Sequence, residues 1–205
     1  MEIYIVRHGQ TIWNASNLLQ GNADVELNEN GRALAEETGR NLEQISFDKI
    51  YSSPLIRAYE TACLIRGYRN IPIIRDDRLK ELNFGVNEGK NFKELLADTS
   101  TPFHYFFERP ELYQAPENGE TLEHICERGA QFMREVIEPQ KDELERVMIV
   151  AHGAMNKAIM CHVKQHGIED YWSGGLQRNC GVIIVKLDEK GYHVLDETKI
   201  FYEVK

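Results

Sequence analysis

The first apolar segment of the chain reads Ile3-Tyr4-Ile5-Val6-Arg7-His8-Gly9. Its apolar part predicts a buried β-strand that ends where the basic side chains begin. The same arrangement recurs twice: Lys49–Ser52 leads into Ser53-Pro54-Leu55-Ile56-Arg57, and Val147–Ala151 leads into His152-Gly153. Three strands that each end on polar residues predict a sheet with a polar edge.

Segments with helical spacing alternate with the strand patterns. Helices are expected over 28–45, 54–66, 121–138 and 154–165, and further strands over 71–75, 182–187 and 192–200. This alternation predicts an α/β fold, a three-layer sandwich with a mostly parallel sheet and helices on both faces. The turn signal at 188–191 predicts a hairpin that adds an antiparallel edge strand. We expect a single domain over residues 1–205 with a small helical cap inserted at about 86–118.

The composition is that of an acidic globular protein. The chain has 205 residues, of which 42% are hydrophobic and 28% charged, so it can bury a sizeable core. Its net charge of −9 repels nucleic acids and anionic membranes at long range, and we expect neither as a partner. A phosphate ligand would be repelled as well, unless a local basic cluster reverses the field.

Several patterns bear on compartment and metal content. Met1 runs directly into the first strand pattern, with no basic segment followed by a long apolar stretch. No segment has the apolar length of a bilayer span. The four cysteines form no Cys-x-x-Cys pair, which favours reduced thiols. His162 and His166 stand four apart without an accompanying carboxylate pattern. We therefore expect a cytoplasmic protein with no metal and no cofactor.

The polar residues after the three strands point to a phosphate site. Ligands of open α/β sheets bind beyond the carboxyl ends of the strands, which predicts that Arg7, His8, Arg57 and His152 converge there. Arginine presents a fork of donors that matches phosphate oxygens, and neutral histidine is a nucleophile near neutral pH. Gly153 lets the backbone approach a ligand closely. A single histidine at a strand end is usually a packed or solvated residue, but two His-Gly pairs after apolar strands favour function.

A set of short motifs extends this pattern along the chain. In chain order they are Arg7-His8-Gly9-Gln10-Thr11-Ile12-Trp13-Asn14, Ser53-Pro54-Leu55-Ile56-Arg57-Ala58, Thr61-Ala62, Leu79-Lys80-Glu81-Leu82-Asn83-Phe84-Gly85, Glu88-Gly89, Asn118-Gly119-Glu120-Thr121, Ala151-His152-Gly153 and Asn179. Together they resemble the motifs of the histidine phosphatase superfamily, also called the phosphoglycerate mutase-like family. The resemblance covers nearly the whole chain, and the combination is far more specific than any one motif.

The resemblance implies a catalytic set. His8 resembles the residue that becomes phosphorylated, and Arg7, Arg57 and His152 resemble the pocket that holds the phosphoryl oxygens. Glu81 resembles the general acid that protonates the leaving oxygen and then, as a base, activates water. A phosphohistidine intermediate divides one difficult displacement into two easier ones. The family uses no metal.

The resemblance also implies a substrate-binding set. Asn14 corresponds to a further polar contact to the phosphoryl group, and Gln20, Gly21 and Gly153 complete the residues expected around the substrate. Glu88, in the motif after Glu81, is the second choice for the acid.

The predicted cap bears on the choice between hydrolysis and transfer. Residues 91–118 contain two basic residues, Lys93 and Arg109, and five acidic ones: Glu94, Asp98, Glu108, Glu111 and Glu117. The same segment holds six aromatics: Phe92, Phe103, Tyr105, Phe106, Phe107 and Tyr113. We expect most of these aromatics to pack the cap onto the core. A phosphoglycerate mutase must hold a second anionic group, for which an acidic, aromatic cap is a poor match.

The sequence therefore predicts a metal-independent phosphatase acting on small-molecule phosphate monoesters through a phosphohistidine. The alternatives are a cofactor-dependent phosphoglycerate mutase, a protein phosphohistidine phosphatase, and a non-catalytic phosphate-binding or scaffold protein of the same fold. The last would be expected to have lost His8, Arg57 or His152, and all three are present. The patterns predict neither the natural substrate nor the oligomeric state.

Overall fold

A computed structural model describes residues 1–204. The strands in this range are β1 (Glu2–Arg7), β2 (Lys49–Ser52), β3 (Ile73–Arg75), β4 (Arg146–Ala151), β5 (Val182–Asp188) and β6 (Gly191–Lys199). The α-helices are α1 (Ile12–Ala15), α2 (Glu29–Asn41), α3 (Ile56–Arg66), α4 (Phe92–Ala97), α5 (Leu122–Phe132) and α6 (Gly153–Lys164). Single 3₁₀ turns lie at Asp77–Leu79, Gly85–Asn87, Pro102–Tyr105, Pro110–Leu112, Glu138–Gln140 and Ile168–Asp170, and a π-helical turn lies at Met133–Ile137.

The strands form one sheet in the order β3-β2-β4-β1-β5-β6. The first four are parallel, with Arg7 of β1 opposite Ala151 of β4, and Ser52 of β2 opposite Val150 of β4. β5 runs antiparallel to β1 and forms a hairpin with β6. This confirms the mostly parallel sheet with an antiparallel edge. The register also means that β1, β2 and β4 end side by side.

Alternate residues of each strand enter two separate cores, which produces the expected three layers. Ile3 and Ile5 of β1 belong to a core that includes side chains of α5 and α6. Tyr4 and Val6, one residue out of phase, belong to a core that includes side chains of α2 and α3. A parallel sheet covered on both faces needs such continuous apolar strands, because each face must be buried.

The helix and strand limits differ from the expected ones by a few residues. Asn28 caps α2 as predicted, since its Oδ1 accepts a hydrogen bond from the Gly31 amide at 2.8 Å, but the helix ends at Asn41. α5 ends at Phe132, and the chain continues through the π-helical turn. β3 is shorter than predicted because Pro72 has no amide hydrogen to donate within a sheet.

Residues 86–118, where a small helical cap is expected, form α4 and short 3₁₀ turns joined by loops. Phe103, Phe106 and Tyr113 are buried and pack into the core shared with α5 and α6. The division into one domain over 1–205 with this cap stays a prediction, and its last residue, Lys205, lies outside the described residues.

Other sequence features have plain structural roles. His162 Nε2 donates a hydrogen bond to the Glu138 carboxylate at 2.7 Å, and His166 contacts a backbone carbonyl. Within residues 1–204 no group of three or more histidine, cysteine or acidic side chains could hold a metal ion. Each cysteine is a free thiol. Across the same residues, none of the helices combines the length and apolar character needed to cross a membrane.

Candidate active site

A cavity of about 250 Å³ opens where β1, β2 and β4 end. Its inner lining includes eight of the nine residues predicted for the site: Arg7, His8, Asn14, Gln20, Gly21, Arg57, Glu81 and Gly153. The ninth, His152, is fully buried beside His8, with the two ring centroids 5.2 Å apart. The strand register explains the pairing, since each histidine directly follows its strand and the strands are neighbours.

His8 is held as a neutral imidazole with one nitrogen free. Its Nδ1 lies 2.6 Å from the carbonyl oxygen of Gly9, which can only accept, so Nδ1 carries the proton. The Gly9 amide donates to Thr61 Oγ1 at 2.9 Å, which fixes the peptide group between His8 and Gly9. Burial, followed by the charges of Arg57 and Arg7, lowers the pKa of His8 well below its ordinary value of 6.5. The lone pair of Nε2 therefore stays available as a nucleophile.

His152 has the same tautomer as His8, but its other nitrogen, Nε2, is occupied. Its Nε2 lies 2.8 Å from Ser53 Oγ, and that oxygen already accepts a hydrogen bond from the Leu55 amide. The Ser53 hydroxyl is therefore free to donate to Nε2, which leaves the proton of His152 on Nδ1. This Nδ1 is buried without a protein partner among the described residues. Burial first, then Arg57 and His8, lowers the pKa of His152 well below 6.5.

Arg57 is fully buried and Arg7 half-buried, and both have spare donors. Arg7 Nη1 donates to the carbonyl of Gln177 at 2.6 Å, and Arg57 donates to the carbonyls of Gly21 at 2.6 Å and Ala23 at 2.7 Å. The Nε atoms of both arginines have no partner within residues 1–204. Burial lowers the pKa of Arg57 to about 10, so it remains charged at neutral pH. Unpartnered charged donors in a cavity favour an anionic ligand.

Glu81 lies at the N-terminus of α6. Its Oε1 accepts hydrogen bonds from the amides of Leu82 at 2.9 Å and Met155 at 3.0 Å, and Oε2 accepts one from Ala154 at 3.2 Å. A Cβ at Gly153 would lie 3.7 Å from Glu81 Oε2. Oε2 accepts one of these hydrogen bonds and Oε1 accepts two, so Oε2 has the larger unused acceptor capacity.

Glu88, the second choice for the acid, is not among the residues that line the cavity, and its carboxylate binds backbone amides. Its carboxylate accepts hydrogen bonds from the amides of Asn22 and Ala23, both at 2.8 Å, and of Phe84 at 3.1 Å. These bonds shape the loop that holds Gly21, whose φ of +55° and close approach to the Glu88 carboxylate exclude a side chain.

Three amide side chains complete the inner lining. Asn14 Oδ1 accepts from the amide and hydroxyl of Thr11 at 3.1 and 3.2 Å, which leaves its Nδ2 hydrogens for a ligand. Gln20 Oε1 is buried and has no partner within residues 1–204. Asn179 Nδ2 donates to the carbonyl of His8 at 3.0 Å and thereby restrains the backbone of that residue.

The outer part of the cavity is apolar and mostly aromatic. It is lined by Leu18, Leu19, Phe84, Phe92, Phe106, Phe107, Trp172 and Leu176, together with Asn17. The packing role expected of the cap aromatics holds for Phe103 and Tyr113, whereas Phe92, Phe106 and Phe107 also face the ligand space. The charged residues of the lining are Arg7, Arg57 and Glu81, and the acidic cap residues do not contribute.

Sequence reasoning missed several contributors. Ser53 could have been found, because it follows β2 at the same sheet edge as the two histidines. Trp172 and Leu176 could not, because they lie in a glycine-rich loop without periodicity, between α6 and β5. Trp172 Nε1 donates to the carbonyl of Phe106 at 2.5 Å, which joins this loop to the cap.

Comparison with known proteins assigns the chain and its fold to one family. The family model of the histidine phosphatase superfamily (branch 1) matches residues 3–198. A 2,3-bisphosphoglycerate-dependent phosphoglycerate mutase of Cytophaga hutchinsonii is 36% identical over 170 residues, covering 82% of this chain and 79% of its own. A metal-independent phosphoserine phosphatase of Arabidopsis thaliana is 31% identical over 194 residues, covering 92% and 77%. The solved structure of YhfR from Bacillus stearothermophilus aligns with a TM-score of 0.86 and 35% identity over 94% of both chains.

Proposed function

The chain belongs to the histidine phosphatase superfamily, and we propose that it is a phosphatase that hydrolyses small-molecule phosphate monoesters through a phosphohistidine at His8. Family membership places it among enzymes of phosphoryl chemistry, phosphatases and mutases alike. The single observation that carries the proposal is the tautomer of His8: Nδ1 is occupied by the Gly9 carbonyl, and the free Nε2 faces a cavity that holds two arginines.

The first half-reaction forms the phosphohistidine. His8 Nε2 attacks the phosphorus, the bond between phosphorus and the ester oxygen breaks, and Glu81 gives a proton to the departing oxygen. The Nδ1 proton stays on the ring, where its hydrogen bond to the Gly9 carbonyl stabilises the positive charge of the phosphorylated imidazole. Charge spreads over the phosphoryl oxygens in such transition states, so donors fixed in advance stabilise it. Arg7, Arg57 and the Nδ1 proton of His152 provide those donors.

The second half-reaction releases phosphate. Glu81, now a carboxylate, takes a proton from a water molecule that attacks the phosphorus, and the bond between phosphorus and Nε2 of His8 breaks. Glu81 ends protonated and His8 neutral, as both began. Free phosphate then leaves the cavity.

The test is to trap the intermediate. Rapid mixing with a phosphate ester labelled in the phosphoryl group, followed by alkaline quench, is expected to leave an acid-labile, base-stable label on the protein. His8→Ala should lose the label and nearly all phosphate release. His193→Ala, on the exposed edge strand β6, is the matched control and should retain both. Label that persists in His8→Ala would refute the proposed nucleophile.

The outer cavity favours hydrolysis over a mutase reaction. A phosphoglycerate carries a second anionic group, and among residues 1–204 the lining holds no cation beyond Arg7 and Arg57 to receive it. An uncharged aromatic or aliphatic leaving group would instead remove apolar surface from water, at about 25 cal/mol for each Å² buried. We therefore assign to this site monoesters whose only anionic group is the phosphate.

Steady-state rates on matched substrates test this assignment. We expect kcat/KM for phenyl phosphate to exceed that for phosphoserine and for 3-phosphoglycerate by at least about tenfold, which is about 1.4 kcal/mol of differential binding. Trp172→Ala should reduce the advantage of phenyl phosphate and leave phosphoserine nearly unchanged. Faster turnover of either carboxylate substrate would contradict the assignment, and phosphate transfer between phosphoglycerates outrunning phosphate release would favour the mutase.

A further inference from the structure

We propose that Arg128 is a positioning residue of the reaction, which holds the backbone around Glu81 in register with the first turn of α6. The proposal rests on the proton-transfer role given to Glu81 above. Arg128 belongs to α5 and does not line the substrate cavity, so any effect it has on chemistry must act through another residue.

Arg128 uses all five of its N–H groups. Its Nη1 donates to the carbonyls of Arg78 at 2.7 Å and Lys80 at 2.6 Å, and its Nη2 donates to the carbonyl of Glu81 at 2.9 Å. The remaining two bonds go from Nη2 and Nε to the Glu120 carboxylate, at 2.8 and 2.7 Å. Three backbone carbonyls within four residues are thus bound to one planar group.

Glu120 fixes the other end of the same segment. Its Oε2 accepts a hydrogen bond from the Asn83 amide at 3.2 Å, and its own amide donates to the Asn83 carbonyl at 2.8 Å. Burial acts to raise the pKa of Glu120, but the hydrogen bond and charge of Arg128 outweigh it and lower the pKa below the ordinary value of 4.5. Glu120 is therefore ionised at neutral pH, and the pair keeps its full charge.

The clamp, meaning Arg128 with Glu120, determines where the Glu81 carboxylate lies. That carboxylate must meet the amides of Ala154 and Met155 and also reach the leaving oxygen. The segment that carries it has irregular backbone, with only a single 3₁₀ turn of its own. A misplacement of about 1 Å in a reacting group can cost about a hundredfold in rate. The bonds of the clamp are the constraint that prevents such a shift.

Lysine cannot replace arginine in this arrangement. Its ammonium group presents three donors from one nitrogen. In Arg128, the carbonyls bind Nη1 and Nη2 and the carboxylate binds Nη2 and Nε, so the acceptors lie along two edges of one planar group. The substitution Arg128→Lys therefore keeps the positive charge beside Glu120 and removes the geometry. This separates positioning from electrostatics.

The experiment compares two substrates that differ in their need for an acid. The para-nitrophenolate ion leaves without being protonated, whereas the alkoxide of benzyl phosphate needs a proton, and both carry one aromatic ring. First-turnover release of the alcohol or phenol isolates the step in which Glu81 is the acid. We expect Arg128→Lys to slow benzyl phosphate by about 10- to 100-fold and para-nitrophenyl phosphate by less than about threefold. Glu81→Gln should show the same pattern with a larger loss.

The control is Arg134→Lys. It alters an exposed ion pair with Glu127 of α5 and should change neither rate. Equal losses on both substrates in Arg128→Lys, alongside the selective loss in Glu81→Gln, would mean a merely structural role and would overturn the proposal. If Glu81→Gln slows both substrates equally, the acid role proposed for Glu81 is wrong, and the positioning role of Arg128 is wrong with it. If Arg128→Lys fails to fold, Glu120→Gln tests the same clamp, and a selective loss on benzyl phosphate supports it whereas an equal loss refutes it.

Discussion

The two buried histidines predict a loss of stability in mildly acidic solution. Both His8 and His152 have pKa values well below 6.5, with burial as the largest cause. In the unfolded chain they regain the ordinary value, so below that pH the unfolded state binds more protons than the folded state. The two histidines therefore do not reduce the free energy of unfolding well above pH 6.5. They reduce it as the pH drops towards their folded-state pKa values.

The magnitude follows from proton linkage. One pH unit below the unfolded pKa, each histidine that stays neutral in the folded state costs about 1.4 kcal/mol, and the two together cost about 2.8 kcal/mol. Carboxylates do not obscure this window, because the pKa values of Asp76 and Glu120 are lowered from 3.8 and 4.5 and their protonation begins at lower pH.

Urea unfolding at about pH 7.5 and pH 5.5, in buffers without phosphate, measures the effect. The wild-type free energy of unfolding should drop by about 2.8 kcal/mol, and the drop should be about half as large in His8→Gln and in His152→Gln. His193→Gln, which removes an exposed histidine, serves as the control and should match the wild type. An undiminished drop in His8→Gln would show that His8 is protonated in the folded protein, and the nucleophile argument would fail with it.

Three further predictions follow from the contacts of the site. Gly21→Ala places a Cβ against the Glu88 carboxylate at a backbone angle that favours glycine, so kcat/KM should fall by about tenfold or more while the thermal midpoint changes by a few degrees. Ser53→Ala removes the hydrogen bond to His152 Nε2 and should cost about 1–3 kcal/mol of stability in urea unfolding together with a lower kcat, whereas unchanged values would mean that the ring is held by packing alone. Dialysis against EDTA should leave phosphate release unchanged, because Arg7 and Arg57 supply the positive charge of the cavity, and restoration of lost activity by added metal would contradict that assignment.

The sheet and half of the site could be predicted from sequence because short-range patterns determine them. Apolar strands in parallel must end at one edge, and this brings His8 and His152 together whatever the loops do. Glu81 is different, since it lies in irregular backbone and only the resemblance to a family identified it. The clamp by Arg128 was beyond prediction, because it joins residues about fifty positions apart through carbonyls that any sequence would provide.

The net charge of −9 and an anion-binding site are compatible because Arg7 and Arg57 are held in the cavity by hydrogen bonds to backbone carbonyls before a ligand arrives. The guanidinium of Arg57 is tied to two loop carbonyls, so an entering phosphate meets donors that need no rearrangement. Burial disfavours the charged forms of Arg57 and of both histidines and so lowers their pKa values. A bound dianion offsets part of this unfavourable free energy of burial.

Inorganic phosphate at ten times its Kd should therefore raise the free energy of unfolding by about 1.4 kcal/mol at neutral pH. At the same phosphate concentration, the gain in the free energy of unfolding should be larger at about pH 5.5. An anion beside His8 raises the pKa of that residue and allows the folded state to take up the proton. Urea unfolding with and without phosphate at both pH values tests this, and a gain that does not grow on acidification would mean that the anion binds away from the histidines.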